Sequence, residues 1–192
     1  LPGSAGKRER AEANPRAGRI NPGPGNHCAA VPEKMKIREL TPENFSKVAG
    51  LLRQAFPRSN YEARLVENLR RNGRVVHEWI GIHINRVIAY VAFTQAYQGG
   101  AVCGLHLAPL AVKPEFQRQG VGSELLRFAL RQEVIKANTI FVVGNPEFYR
   151  KFGFTSCEMP VSPLAKKKAH FLSIRNNTAS PFVVGYEPEF GA

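Results

Sequence analysis

A long apolar run, Ala101–Val112, hands over to an amphipathic run through the joint Gln117-Arg118-Gln119-Gly120-Val121-Gly122. The apolar run reads as a strand. Beyond the joint, Val121, Leu125, Phe128 and Ala129 fall on one face of a helix. Glycines open a helix poorly unless something needs close access to the backbone there. The first amides of a helix lack internal acceptors, and the helix dipole favours negative charge beside them. Gln117, Arg118, Gln119, Gly120, Val121, Gly122 and Ser123 therefore form a candidate cradle for a pyrophosphate, with Gln117, Arg118 and Gln119 adding side-chain donors. A Walker loop would need Gly-Lys-Ser/Thr, which is missing. A Rossmann turn would need a third glycine where Leu125 stands. On the glycines alone, a helix start that holds no ligand fits equally.

The elements around this joint alternate. Met35–Leu40 reads as a strand, and Thr41 as the N-cap of a helix with Pro42 at its first position. Phe45, Val48, Leu51, Leu52 and Phe56 lie on one side of that helix. A second helix, Tyr61–Arg71, ends at Asn72-Gly73. Strands follow over 75–82, 86–96 and 101–112; Pro109 cannot donate to a ladder, so it predicts a bulge or a local splay. After the amphipathic helix come a short strand over 139–144 and a short helix over 146–154 stopped by Gly153. The runs 170–174 and 181–187 are expected to close the sheet as a hairpin. The pattern is α/β, a mixed sheet of about six to seven strands with helices on both faces. Residues 1–34, rich in Gly, Pro, Ala and charge without apolar periodicity, read as a disordered basic leader or arm. Residues 35–192 read as a single domain.

Charge narrows the partners. The net charge is +12, and all fifteen acidic residues are Glu. Residues 1–34 contribute +3 of that total, so +9 belongs to the domain. Such a chain has affinity for something anionic. Without Asp, an Asp-containing triad or EF-hand ligand set is excluded. The five histidines show no metal-ligand spacing, so no metal is expected. The three scattered cysteines suggest neither a disulfide framework nor a zinc site, and a reducing cytoplasmic setting is expected. No apolar window is long enough for a membrane span. No aromatic-basic stacking motif favours nucleic acid.

The pattern Val112-x-Pro114-x-x-Gln117-Arg118-x-Gly120-x-Gly122 resembles the acyl-CoA signature of the GNAT superfamily of N-acetyltransferases, Gln/Arg-x-x-Gly-x-Gly/Ala. Downstream, "GNPEFYRKFGF", Gly144–Phe154, is similar to a Gly-Asp-Pro-x-Tyr-Tyr-x-x-Phe-Gly-Phe segment of the YhbS-like branch, with Asn145 for the Asp and Phe148 for the first Tyr. The resemblance runs from about Met35 to Phe190. It implies a mostly antiparallel central sheet with a splay between its two central strands. It implies acetyl-CoA as cosubstrate and an amine, small or on a protein, as acceptor.

The resemblance also implies roles. Pantetheine would pair with the open strand edge at Leu110, Ala111 and Val112, and a Leu110 N–H would donate to the acetyl oxygen. Tyr149 would be the general acid: an ordinary phenol, near pKa 10, is protonated at neutral pH and can donate to a departing thiolate. Asn145 and Phe148 would line the cofactor arm. His106 is the candidate base, ahead of Glu78 and His77, since a histidine near pKa 6.5 can take the amine's proton. The competing reading is a catalytically silent acyl-CoA sensor, against which Tyr149 argues, since a pure binder needs no proton donor. A monomer or a homodimer is expected.

Overall fold

The computed structural model describes residues 35–191; the expected leader, residues 1–34, lies outside the described residues. β1 (Lys36–Glu39) leads through a 3-10 turn at Pro42–Asn44 into α1 (Phe45–Ala55) and α2 (Tyr61–Arg71). Thr41 does not cap with its side chain; its hydroxyl instead accepts from Asn44 Nδ2 at 3.1 Å and donates to Glu43 Oε1 at 3.1 Å. α2 ends as expected. Gly73 adopts φ +65°, and Gly73 N–H and Arg74 N–H reach back to the carbonyls of Arg70 and Leu69, satisfying the last turn.

β2 (Val76–His83), β3 (Arg86–Gln98) and β4 (Ala101–Val112) form an antiparallel meander. A turn at Pro114–Phe116 then leads to α3 (Val121–Leu130), followed by α4 (Glu133–Lys136), β5 (Ile140–Val143), α5 (Pro146–Tyr149), β6 (Thr155–Ser156) and β7 (Phe171–Ile174). The sheet has seven strands in the order β1-β2-β3-β4-β5-β7-β6, and only β4–β5 is parallel. This is the mostly antiparallel mixed sheet expected from the sequence.

β3 is buried almost throughout because helices cover both of its faces. Val91 and Phe93 join Val121, Leu125, Leu126 and Ala129 of α3. Tyr90 and Ala92 join Val48, Leu51, Leu52, Ala63 and Val66 of α1 and α2. Each fully buried Leu or Phe in these layers contributes about 2 kcal/mol.

Pairing between β4 and β5 is confined to Leu105–Ile140 and His106–Phe141. Beyond it, β4 continues with β3 alone and β5 with β7 alone, so the sheet opens between them. The opening coincides with a bulge: Val91 faces Leu110 and Phe93 faces Leu107, leaving Ala108 and Pro109 opposite Ala92. Pro109 therefore produces the irregularity its missing N–H predicts.

The expected closing hairpin does not form. β7 has β5 on one edge and β6 on the other, so no edge remains for residues 181–187. That segment instead bridges Val183 to Val161 and Gly185 to Tyr97.

At the root of the splay, a Cβ on Gly104 would stand 2.5 Å from the Thr139 carbonyl oxygen, next to the Leu105 N–H to Thr139 O bond of 2.8 Å. Gly104→Ala should lower stability by about 1–3 kcal/mol, read as a fall in Tm; an unchanged Tm would mean the two strands can separate there without cost.

Candidate active site

The joint that opened the sequence argument folds as a tight turn resting on β4. Arg118 and Gly120 have positive φ, 59° and 83°, and Gly120 is the residue from which α3 starts. Glu124 N–H takes the Gly120 carbonyl, which leaves the Val121, Gly122 and Ser123 amides in the first turn with no backbone acceptor among the described residues. A Cβ on Gly122 would lie 3.2 Å from Val112 Cγ2, so a side chain there would push the Val112 methyl back by a few tenths of an ångström. A cavity of about 500 Å³ covers the turn, lined by Leu110, Val112, Gln117, Arg118, Gly120, Gly122, Ser123, Phe148 and Lys151. Gln117 Nε2 donates to the Val112 carbonyl at 2.9 Å and Gln119 Nε2 to the Glu115 carbonyl at 2.8 Å, so both amides brace the loop. The Val121 side chain is buried in the core, leaving only its backbone to face the turn.

The strand beneath presents an open edge. Lys113 N–H donates to the Ile88 carbonyl at 2.9 Å. Hydrogen bonding alternates along an antiparallel pair. The Ala111 backbone therefore faces β3, while the N–H and C=O of Leu110 and Val112 face the splay. The Ala111 side chain packs on the α1–α2 layer, away from the loop cavity.

A second cavity, about 380 Å³, lies on the far side of the splay. Leu110 lines both cavities. Tyr149 and His106 line the second one, with Tyr61, Glu62, Ala108, Pro109 and Phe190. Burial raises the Tyr149 phenol well above its ordinary value, so it is protonated at any neutral pH. Its ring packs edge-on against Phe148 and Phe154, and a Cβ on Gly144 would collide with it. The His106 ring lies between Tyr186 and Phe190, with centroids 4.4 and 4.7 Å away. Its Nδ1 is buried without a hydrogen-bond partner, and burial lowers its pKa to about 3.

Other expected residues sit differently. The Asn145 side chain accepts from Glu147 N–H at 3.0 Å, capping α5, and lines neither cavity. Phe148 lines the loop cavity. Glu78 is held by Arg70 at 2.5 Å and by the Tyr90 hydroxyl at 2.5 Å, and neither Glu78 nor His77 lines the second cavity. Sequence reasoning did not single out Glu62, although a signal existed: Glu62, Leu65 and Leu69 follow i, i+3, i+7, placing a carboxylate on the apolar stripe of α2. Among the described residues no cluster of His, Cys or Glu could hold a metal ion, and no helix is long and apolar enough to cross a membrane.

Residues 75–156 match the family described as Acetyltransferase (GNAT) domain. Over those residues the chain is similar to that family. It is 32% identical over 102 residues to YjhQ of Escherichia coli K12, described as an uncharacterised N-acetyltransferase; the match covers 50% of this chain and 56% of YjhQ. The chain thus spans little more than half of that curated relative. The fold is shared with the crystal structure of the GNAT-family N-acetyltransferase YhbS of Escherichia coli in complex with CoA, at TM-score 0.74 and 24% identity, covering 83% of this chain and 93% of that one. It is shared also with a GNAT-family acetyltransferase of Brucella melitensis in complex with acetyl-CoA, at TM-score 0.70 and 24% identity, covering 82% and 98%. The fold is thus the seven-stranded, mostly antiparallel, splayed sheet that the two motifs implied.

His106 gives the site a pH signature. Its pKa is lowered from 6.5 in the unfolded chain to about 3 in the fold, so between those values the unfolded chain binds more protons. The stability from a neutral, buried His106 is present above pH 6.5 and lost as pH falls toward 3. By pH 4.5 the loss should reach roughly 2–3 kcal/mol. His106→Leu should flatten the fall of Tm between pH 6.5 and 4.5; an equally steep fall in the variant would mean that His106 titrates normally.

Proposed function

We propose that this protein is an acetyl-CoA-dependent N-acetyltransferase acting by direct transfer to an amine in a ternary complex. The observation that carries this reading is Leu110: it lines both cavities, and its backbone N–H faces the gap between them. The residues present fit a diphosphate-bearing thioester. First-turn amides, a glycine that leaves the backbone bare, Arg118 and Lys151 favour an anion at the loop. Leu110 N–H and C=O and Val112 N–H are open to an extended amide-bearing arm, while the Val112 carbonyl is held by Gln117 Nε2. When bound, acetyl-CoA supplies an activated acetyl carbon: the amine nitrogen bonds to it, the C–S bond breaks, and the sulfur keeps the electron pair.

The chain's own groups manage charge and protons. Leu110 N–H donates to the carbonyl oxygen as negative charge gathers there, in a site shielded from water. Tyr149, protonated because it is buried, delivers its proton to the departing sulfur and recovers one from the solvent side. The apolar surroundings disfavour a bare thiolate and a bare phenolate alike, so the transfer is completed by the proton that Tyr149 takes up from the solvent side. His106 is neutral and lines the same wall. With its affinity for a proton lowered by burial, His106 orients the amine as a hydrogen-bond acceptor and passes the surplus proton to water instead of retaining it. Holding both reactants adjacent supplies much of the acceleration.

Tyr149→Phe should lower kcat roughly 100-fold or more while leaving CoA affinity within about twofold, because Tyr149 lines the second cavity and not the one at the loop. Thiol release measured beside calorimetric CoA binding checks this; unchanged kcat removes Tyr149 as the acid. Gly122→Glu should abolish CoA binding, since its side chain must displace Val112 and places a negative charge in the cradle. Retained binding would put the phosphates elsewhere. Tight CoA binding with no thiol release on any amine would favour the sensor reading.

A further inference from the structure

The second cavity contains a charge that the transfer chemistry leaves unused. Its walls are mostly apolar, formed by Leu65, Leu107, Pro109, Val143 and Leu164, and the one carboxylate among the lining residues is Glu62. Glu62 stands in the first turn of α2, and its Oε2 is buried without a hydrogen-bond partner. The chain has 27 Lys and Arg residues, yet none of the salt bridges among the described residues involves Glu62. The neighbouring hydroxyl does not pair with it either: Tyr61 donates to the Phe190 carbonyl at 2.9 Å. Leaving a buried carboxylate oxygen unmatched costs stability. Such a cost is offset when a ligand brings the missing donor.

We infer that Glu62 binds the ammonium group of the acceptor, which releases one proton to water before its nitrogen attacks as the free amine, and that the acceptor is a small primary monoamine with an apolar body. The site has one carboxylate, so it satisfies one cation. A second cation on the same molecule would be stripped of water among leucine and valine side chains with nothing to pair it. A volume of about 380 Å³ suits a compact ligand and is at the small end for a binding site. The uncharged, neutral-imidazole wall at His106 adds no competing positive charge. Polyamines and basic peptides are therefore disfavoured. This assignment rests on the acetyltransferase reading for the identity of the cavity as the acceptor site, but it makes a binding claim that can be measured without turnover.

The experiment titrates CoA-loaded protein with 2-phenylethylamine, n-hexylamine, spermidine and the uncharged 2-phenylethanol by calorimetry, for wild type, Glu62→Gln and Glu62→Asp. Wild type should bind the two monoamines in preference to spermidine and to the alcohol. Glu62→Gln should weaken monoamine binding roughly 30-fold or more, without changing CoA affinity, and Glu62→Asp should restore part of it. The proposal is overturned if Glu62→Gln binds the monoamines as wild type does, if spermidine binds best, or if no monoamine binds. A Glu62 confined to stabilising the helix start would lower Tm in Glu62→Gln and leave binding alone, which also overturns it. Thiol release from acetyl-CoA with the same amines is measured in parallel. Glu62-dependent binding without thiol release would sustain the Glu62 assignment and defeat the transferase reading; thiol release that ignores Glu62 would do the reverse.

Discussion

Everything in this site depends on two residues of β4 standing opposite one of β3. With Ala108 and Pro109 facing Ala92, the hydrogen-bonding phase of β4 shifts at the point where its pairing with β5 ends. Before the bulge, Leu105 N–H points at β5, reaching the Thr139 carbonyl. After it, Leu110 and Val112 present their backbone groups to the same side, where no strand remains to take them. Unpaired backbone groups inside a protein are costly, and a sheet edge that is left open and flanked by cavities is a place where an extended ligand can supply the missing bonds. The bulge thus couples fold to chemistry. It ends a ladder, and in doing so it aims donors into a gap.

Two layers of packing hold that gap open. On one side α3 is anchored by Val121, Leu125, Leu126 and Ala129 in the main core, which fixes the turn before it against Val112. On the other, the end of the chain is fastened over the second cavity. Arg74 pairs with Glu189 at 2.9 Å and with Glu187 at 3.4 Å, and Tyr97 donates to Glu187 at 2.7 Å. These carboxylates are almost fully buried, so their partners matter more than surface ion pairs would. Between them they position Tyr186 and Phe190 against His106 and seat Phe190 beside Leu65 and Leu69 of α2. The last residues described are therefore part of the cavity wall, far in sequence from the motifs that announce the site.

That distance explains what could be read from the sequence and what could not. The glycine turn and its strand were legible because each demands local residue types: glycine where the backbone is left bare, and proline where a ladder breaks. Tyr149 was legible through its motif, and the structure adds that Gly144 makes room for its ring. Asn145 was expected on the cofactor arm but caps its own helix, which is the commonest use of an Asn two residues ahead of a free N–H. The strand assigned to residues 181–187 failed because edge availability is a property of the whole sheet, and both edges of β7 were already taken. Glu62 carries no motif. Its meaning comes from Phe190 and Leu164, more than a hundred residues away, which enclose the cavity around it.

The distribution of charge then has a physical logic that net charge alone conceals. The domain is strongly basic, and two of its cations, Arg118 and Lys151, line the loop cavity, where a polyanion would dock. The second cavity inverts that sign with a single carboxylate set in an apolar wall. Fields of opposite sign on the two sides of one strand would draw a phosphorylated thioester and a cationic amine to opposite faces of the splay and resist their exchange. Leu110 is the point where those two faces meet. In the proposed transfer a backbone amide there would suit the reaction because it carries no net charge: it would stabilise a developing oxyanion without attracting the phosphates from one side or repelling the ammonium from the other.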